Sequence, residues 1–425
     1  MTATPSPKPI LLVPLGSSGD VNPFLWMGKI LQAHGHRVRI LANSHFDSAA
    51  RMAGVELVPI GSREEYEAMI QDPVVWHPRR GTPYVLRSAS SLAIRYFERI
   101  RDLTRDEPDT LLIGSALAFG ARLAREKLGL KLLSAHLQPS LFRSLHRTPT
   151  YSRGTAWLDR SPIWVKKLAF HVMDRVIARH TLPQLRAACR QEGVAAPGRV
   201  FREWWHSPDG VLALFPEWFG PSQPDWPSPV HHLGFPLYDL GEEPIRDREL
   251  LEFLDSGPAP VLFTPGSAMA HGHRFFETAL KSCQELGRRA VFATNHPEQL
   301  PPKLPASVFA CRYVPFSRLM PRVALAVHHG GIGTLSQALL AGIPQICMPL
   351  SHDQPDNAVR LETLGVGVGI PPRTFTMPKV SKAMDSLLNS SEVAQRCQES
   401  SRRLVEERDS SLPESRLPAA IQRTV

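Results

Sequence analysis

Between Val323 and Gly367 the chain places paired histidines, three glycines and an Asp-Gln pair in an order suited to holding a phosphorylated sugar. An apolar run ends at His328-His329, and Gly330, Gly331 and Gly333 follow. A helix is predicted from about Thr334, closed by Gly342 and stopped by Pro344. Glycines before a helix let backbone amides approach a ligand, and the helix start adds unpaired N–H groups with partial positive charge. That combination is a diphosphate site, with His329 placed to donate to a phosphate oxygen. A second apolar run, Gln345 to Leu350, leads into Ser351-His352-Asp353-Gln354. As a parallel strand it brings Asp353 and Gln354 to the same sheet edge, where open α/β sheets bind ligands. A carboxylate and an amide offer acceptors and a donor for neighbouring sugar hydroxyls.

A second constellation lies near the start: Gly16-Ser17-Ser18-Gly19-Asp20-Val21-Asn22-Pro23. A hydroxyl is a poor nucleophile until a base takes its proton in the transition state, and Asp20 is a candidate for that role. The same residue is also placed to N-cap a helix beginning at Val21, with Pro23 in the first turn. Capping does not exclude catalysis.

Repeated strand–helix units position these residues. Ile10 to Leu15, His36 to Leu41, Val55 to Ile60, Leu111 to Gly114 and Lys131 to Ala135 read as strands. Val21 to Ala33, Phe46 to Ala53 and Leu117 to Leu128 read as helices between them. A second series follows, with strands at Val261 to Thr264, Ala290 to Thr294, Val323 to His328 and Gln345 to Met348. Helices at Phe275 to Leu286 and Thr334 to Ala341 separate them. Such alternation implies doubly wound parallel sheets. The rhythm breaks from about residue 140 to 210, where Trp157, Trp164, Phe170, Trp204 and Trp205 accompany many basic residues. Ile163 to Ala188 reads as an amphipathic helix, its apolar face either core or the wall of an acceptor pocket. Prolines crowd between Pro216 and Pro244, the expected domain crossover.

A length of 425 residues implies two domains. The expected division is 1–235, 236–408 and a loosely held polar tail at 409–425. Net charge is +9, but Lys and Arg are scattered, which argues against nucleic acid. The five cysteines are odd in number and form no CxxC, so a reducing, cytoplasmic setting is expected, with peripheral contact at the inner membrane left open. His231-His232 and His271-x-His273 have no accompanying ligand cluster, and no metal is expected.

The segment from Val323 resembles the donor-binding motif of the nucleotide-sugar glycosyltransferases that include plant secondary-product, antibiotic and sterol enzymes. That resemblance implies the GT-B arrangement, two Rossmann-like domains facing a cleft, the first binding acceptor and the second the nucleotide-sugar co-substrate. It implies that His329 contacts the diphosphate, with Gly331, the Gly333 and Thr334 amides and the Thr334 hydroxyl beside it. Asp353 and Gln354 match the pair that holds sugar hydroxyls. Gln337 stands where plant members carry a ribose-binding Glu. Tyr313 and Val314 fall where the family's main chain holds the base, and Gly266 and Ser267 match a loop near the donor phosphates. The Gly16 loop resembles the G-x-x-G-D-V-x-P loop of bacterial members, in which the Asp is a candidate base.

Trp204-Trp205-His206-Ser207-Pro208, Phe215-Pro216, Asp225-Trp226-Pro227 and Gly234-Phe235-Pro236 resemble bacterial rhamnosyltransferases of mono-rhamnolipid synthesis. Those enzymes transfer rhamnose from a dTDP donor to a 3-(3-hydroxyalkanoyloxy)alkanoate. The resemblance implies a lipid-like acceptor, an aromatic acyl pocket within Leu141 to Trp205 and an acyltransferase partner. Ser18, His136, Gln138 and Trp164 are the candidate acceptor contacts. The competing readings are transfer of glucose from UDP-glucose to a sterol, carotenoid or polyketide, nucleotide-sugar epimerisation, and binding without catalysis.

Overall fold

A computed structural model describes residues 7–77, 79–238, 244–266, 269, 272–312, 314–410 and 412–424. The chain forms two units, one of Met1–Thr150, Gly154–Tyr238 and Ser411–Val425, the other of Tyr151–Arg153 and Asp239–Ser410.

Ile10, Leu11, Leu12 and Val13 are almost wholly buried, as a strand covered by helices on both faces requires. They belong to β1 (Pro9–Val13), an interior strand of the first sheet. Around it lie β2 (Arg37–Ala42), β3 (Glu56–Pro59), β4 (Leu111–Ser115), β5 (Leu132–His136), β6 (Val211–Ala213) and β7 (Val230–His232). The order is β3-β2-β1-β4-β5-β6-β7, parallel throughout. The chain runs outward from β1 in one direction and then in the other, so the switch point falls between β1 and β4. The Gly16 loop leaves β1 at that point, where ligands of such sheets bind.

The second sheet repeats this plan with β8 (Val261–Thr264), β9 (Ala290–Ala293), β10 (Val308–Cys311), β11 (Leu325–His328), β12 (Gln345–Cys347) and β13 (Gly367–Gly369). Its order is β10-β9-β8-β11-β12-β13, again parallel. Its switch point lies between β8 and β11, where His328 is in register with Thr264. The loops carrying Gly266 and His329 therefore emerge side by side.

Three expectations change. The segment from residue 409, read as a loose polar tail, forms the helix Leu412–Thr424. Leu417, Ala420 and Ile421 are buried on it, and it packs on the first helix and β7 of the first unit. Arg416 Nη1 donates to the His232 carbonyl at 3.0 Å. The first helix spans Ser18–Ala33, so Pro23 lies inside it rather than in its first turn. The amphipathic segment does form one helix, Ile163–Gln191, but its buried residues concentrate from Thr181 onward and much of its first half's apolar face is exposed.

Candidate functional site

In the second unit, β11 delivers two histidines with different fates. His328 is fully buried. The Gly330 N–H donates to its Nδ1 at 3.0 Å, which leaves Nε2 to donate to Gln345 Oε1 at 2.9 Å. Burial pushes its pKa down to about 4, so it is a neutral strut of the sheet. His329 is only partly exposed, and its Nδ1 is sealed with no hydrogen-bond partner. Burial, then the neighbouring His328, lower its pKa to about 3. The ring is neutral near pH 7 and donates through one N–H.

Two glycines clasp the His329 ring. A methyl on Gly266 would stand 2.7 Å from Cε1, and one on Gly331 would stand 2.4 Å from Nε2. Gly266 also has φ 101°, a conformation that favours glycine. The helix Ile332–Leu340 begins directly after Gly331, with no side-chain cap. Its first ladder bond runs from the Leu335 N–H to the Gly331 carbonyl, so the Ile332, Gly333 and Thr334 amides precede the ladder. A methyl on Gly333 would meet nothing within 4 Å, so the space above the helix start is open. These parts form an anion cradle. Gln337 is buried one turn further on, and its Oε1 lacks a partner.

The Asp353 region is tied to the same turn by a residue the sequence did not single out. Asn357 Nδ2 donates to the Gly330 carbonyl at 2.9 Å and to Asp353 Oδ2 at 2.7 Å. One side chain thus joins the glycine turn to the carboxylate. His352 just before it has φ 60°, a left-handed conformation uncommon outside glycine. Gln354 departs from expectation. Its Oε1 accepts from the Leu350 and Ser351 amides at 2.7 and 3.1 Å, so its acceptor holds the loop and only its amide N–H groups remain for a sugar. Gln299 is another unforeseen brace, its Nε2 donating to the Met269 carbonyl at 2.7 Å in the loop after β8. Val314 is a core residue of the second unit, leaving its main chain as the part suited to a base. Ser267 and Tyr313 lie outside the described residues.

In the first unit Asp20 occupies the third position of its helix, not the cap. Ser17 is the cap residue, and Asp20 closes a capping box with it. The Ser17 amide and hydroxyl both donate to Asp20 Oδ2, at 2.7 and 3.0 Å. A methyl on Gly16 would lie 2.2 Å from that oxygen. Burial raises the Asp20 pKa, and the two Ser17 bonds pull against that rise. The carboxylate is held in one orientation through Oδ2, and its basicity is increased. Ser18 meets the Tyr66 hydroxyl, whose pKa burial pushes up, and Tyr66 stacks on His45 at 4.2 Å.

The other acceptor candidates separate. His136 is fully buried, its Nε2 bonded to His206 Nδ1 at 2.8 Å, so its ring is part of the core and meets no acceptor. Gln138 is partly exposed beyond β5. Trp164 is 69% exposed on its helix. Among the described residues no group of three His, Cys, Asp or Glu could hold a metal ion.

Comparison with known proteins matches both halves. Residues 10–137 match the N-terminal domain of glycosyltransferase family 28, and residues 279–415 match the C-terminal domain of proteins like erythromycin biosynthesis protein CIII. The chain is 30% identical to glycosyltransferase GtfC of Amycolatopsis orientalis over 389 residues, 89% of this chain and 90% of that protein. It is 25% identical to a sterol 3-beta-glucosyltransferase of Arabidopsis thaliana, over 90% of this chain and 61% of that one. Among solved structures, the calicheamicin glycosyltransferase CalG4 superposes with a TM-score of 0.73 at 18% identity, covering 99% of each chain. The spinosyn rhamnosyltransferase SpnG, solved with thymidine diphosphate, gives 0.67 at 19% identity, over 94% of this chain and 96% of that one.

Proposed function

The chain belongs to the GT-B nucleotide-sugar glycosyltransferases, and from that premise we propose that it is an inverting rhamnosyltransferase acting on a lipid-like alcohol. The donor in this reading is dTDP-rhamnose and the acceptor a 3-(3-hydroxyalkanoyloxy)alkanoate. The observation that carries the chemistry is the cradle at Gly331, where an uncapped helix start adjoins a neutral histidine clasped by two glycines. The acceptor oxygen attacks the anomeric carbon as the bond to the diphosphate oxygen breaks, its electron pair leaving with the nucleotide. The acceptor proton passes to Asp20, on the oxygen that Ser17 does not occupy. The helix amides and the His329 N–H stabilise the departing diphosphate. Asp353, oriented by Asn357, holds sugar hydroxyls.

Donor and acceptor identity rest on the likeness of segments outside the site, notably Trp204 to Pro208 and Gly234 to Pro236. An acyltransferase that makes the acceptor is the partner this reading implies. The second reading, glucose transfer from UDP-glucose to a sterol or polyketide, is favoured by the sterol glucosyltransferase relatives. Incubation of the protein with each donor and each acceptor, with products read by mass, separates the two. A lipid carrying one added deoxyhexose supports the first reading. Glucosylated sterol or polyketide, with no rhamnosylated lipid, replaces it by the second.

A further inference from the structure

The helix Ile163–Gln191 changes character along its length. Its second half is seated in the core of the first unit through Thr181, Leu182, Leu185, Ala188 and Cys189. Before Thr181 only Lys166 and Phe170 are buried. Trp164, Leu168, Val172 and Val176 point outward, Leu168 being 57% exposed. Among the described residues eight large hydrophobic side chains are exposed, and six of them fall between Trp157 and Val176. Scattered exposure is ordinary, but concentration in one stretch marks an interaction surface.

The spacing gives this surface a definite form. Trp164, Leu168, Val172 and Val176 recur every fourth residue and so form one column along the helix. Lys167, His171, Arg175 and Arg179 recur at the same interval and are also exposed, forming a second column about 60° round the axis. The one acid in this stretch of helix, Asp174, is largely buried and paired with Arg143 at 2.6 Å. Among the described residues no carboxylate pairs with the basic column. An apolar column beside an unneutralised basic one suits a surface of acyl chains beneath anionic headgroups. A second copy fits less well, because it would bring another chain of net charge +9 against these cations. The helix is not apolar enough to cross a bilayer, so it would lie in the interface plane.

We propose that residues 164–179 dock this enzyme on an anionic lipid bilayer, with the Trp164 column entering the acyl boundary and the Lys167 column meeting headgroup phosphates. The inference does not depend on which acceptor is used. Co-sedimentation of the full chain with vesicles tests it, using phosphatidylcholine alone or with added phosphatidylglycerol. The wild type is expected to bind the anionic vesicles at least about tenfold more tightly, with binding weakened by salt. The triple variant K167Q/R175Q/R179Q is expected to lose about 100-fold, each basic residue near such a surface contributing about fivefold. The variant L168S/V172S is expected to bind more weakly to the same vesicles. Thermal melting and thymidine diphosphate binding check that both variants are folded. Wild-type protein remaining in the supernatant, or folded variants that bind as it does, would overturn the proposal. A wild-type dimer in sedimentation velocity that L168S/V172S abolishes would assign the face to self-association instead.

Discussion

His329 has little freedom to move, because Gly266 and Gly331 lie close to its ring from different strand ends. Gly331 has φ −64°, which any residue adopts, so its need for glycine comes from the ring and not from the backbone. Gly331→Ala is therefore expected to displace the ring while leaving the fold intact. Thymidine diphosphate affinity should fall by about tenfold or more, equivalent to about 1.4 kcal/mol, with little change in melting temperature. Titration calorimetry measures it, and unchanged affinity would remove His329 from the cradle. The place of the glycines, His329 and Asp353 at one sheet edge was legible because a strand end followed by glycines and a helix fixes where they emerge. Asn357 and Gln299 were not, since each works by bridging main-chain atoms distant in sequence. Gln354 was legible as a polar residue at the right edge, but its bond to the loop amides depends on how that loop turns. His136 misled because a strand end gives no sign that the His206 ring awaits it.

Several elements built from apolar runs matched their predicted positions closely, as with β8 at Val261–Thr264 and the helix Ile332–Leu340, but the apolar runs of β6 and β10 were not read as strands. β13 escaped because Gly367-Val368-Gly369 has no apolar run to mark it, and β7 because it ends in two histidines. The terminal helix escaped because Pro413 and Pro418 obscure a stripe at Leu417, Ala420 and Ile421. That stripe has the spacing of one helical face, so packing on the first unit outweighs the interior proline. Leu417 is fully buried, and Leu417→Ala is expected to destabilise the first unit by about 2–5 kcal/mol. Chemical denaturation would show it. A loss below about 1 kcal/mol would mean that the terminal helix is held only weakly.

Among the described residues, several histidines whose pKa burial lowers give stability a definite pH dependence. Burial holds His206 and His329 at about 3 and His328 at about 4, and places His136 well below its usual range. The unfolded chain protonates these groups near pH 6.5, whereas the folded protein does not until far lower. Stability should therefore be complete above pH 6.5 and fall as pH drops from there toward 4. Asp20 opposes this trend, since its raised pKa lets the folded state take up a proton, but it is one group against several histidines. Urea unfolding at stepped pH is expected to show a slope steeper than one proton, about 1.4 kcal/mol per pH unit. A flat profile over that window would contradict the neutral, buried assignment of these rings.

Both units place glycine-bordered loops at the switch points of parallel sheets, and the account assigns the phosphate to one and the base to the other. Acceptor-dependent release of nucleotide diphosphate, compared between the wild type and Asp20→Asn, tests that assignment most directly. Asparagine retains an oxygen for the Ser17 amide, so the capping box and donor affinity should persist. Turnover is expected to fall by about 10² or more. Near-normal release by a folded Asp20→Asn protein would contradict the account and reduce Asp20 to a helix-capping residue.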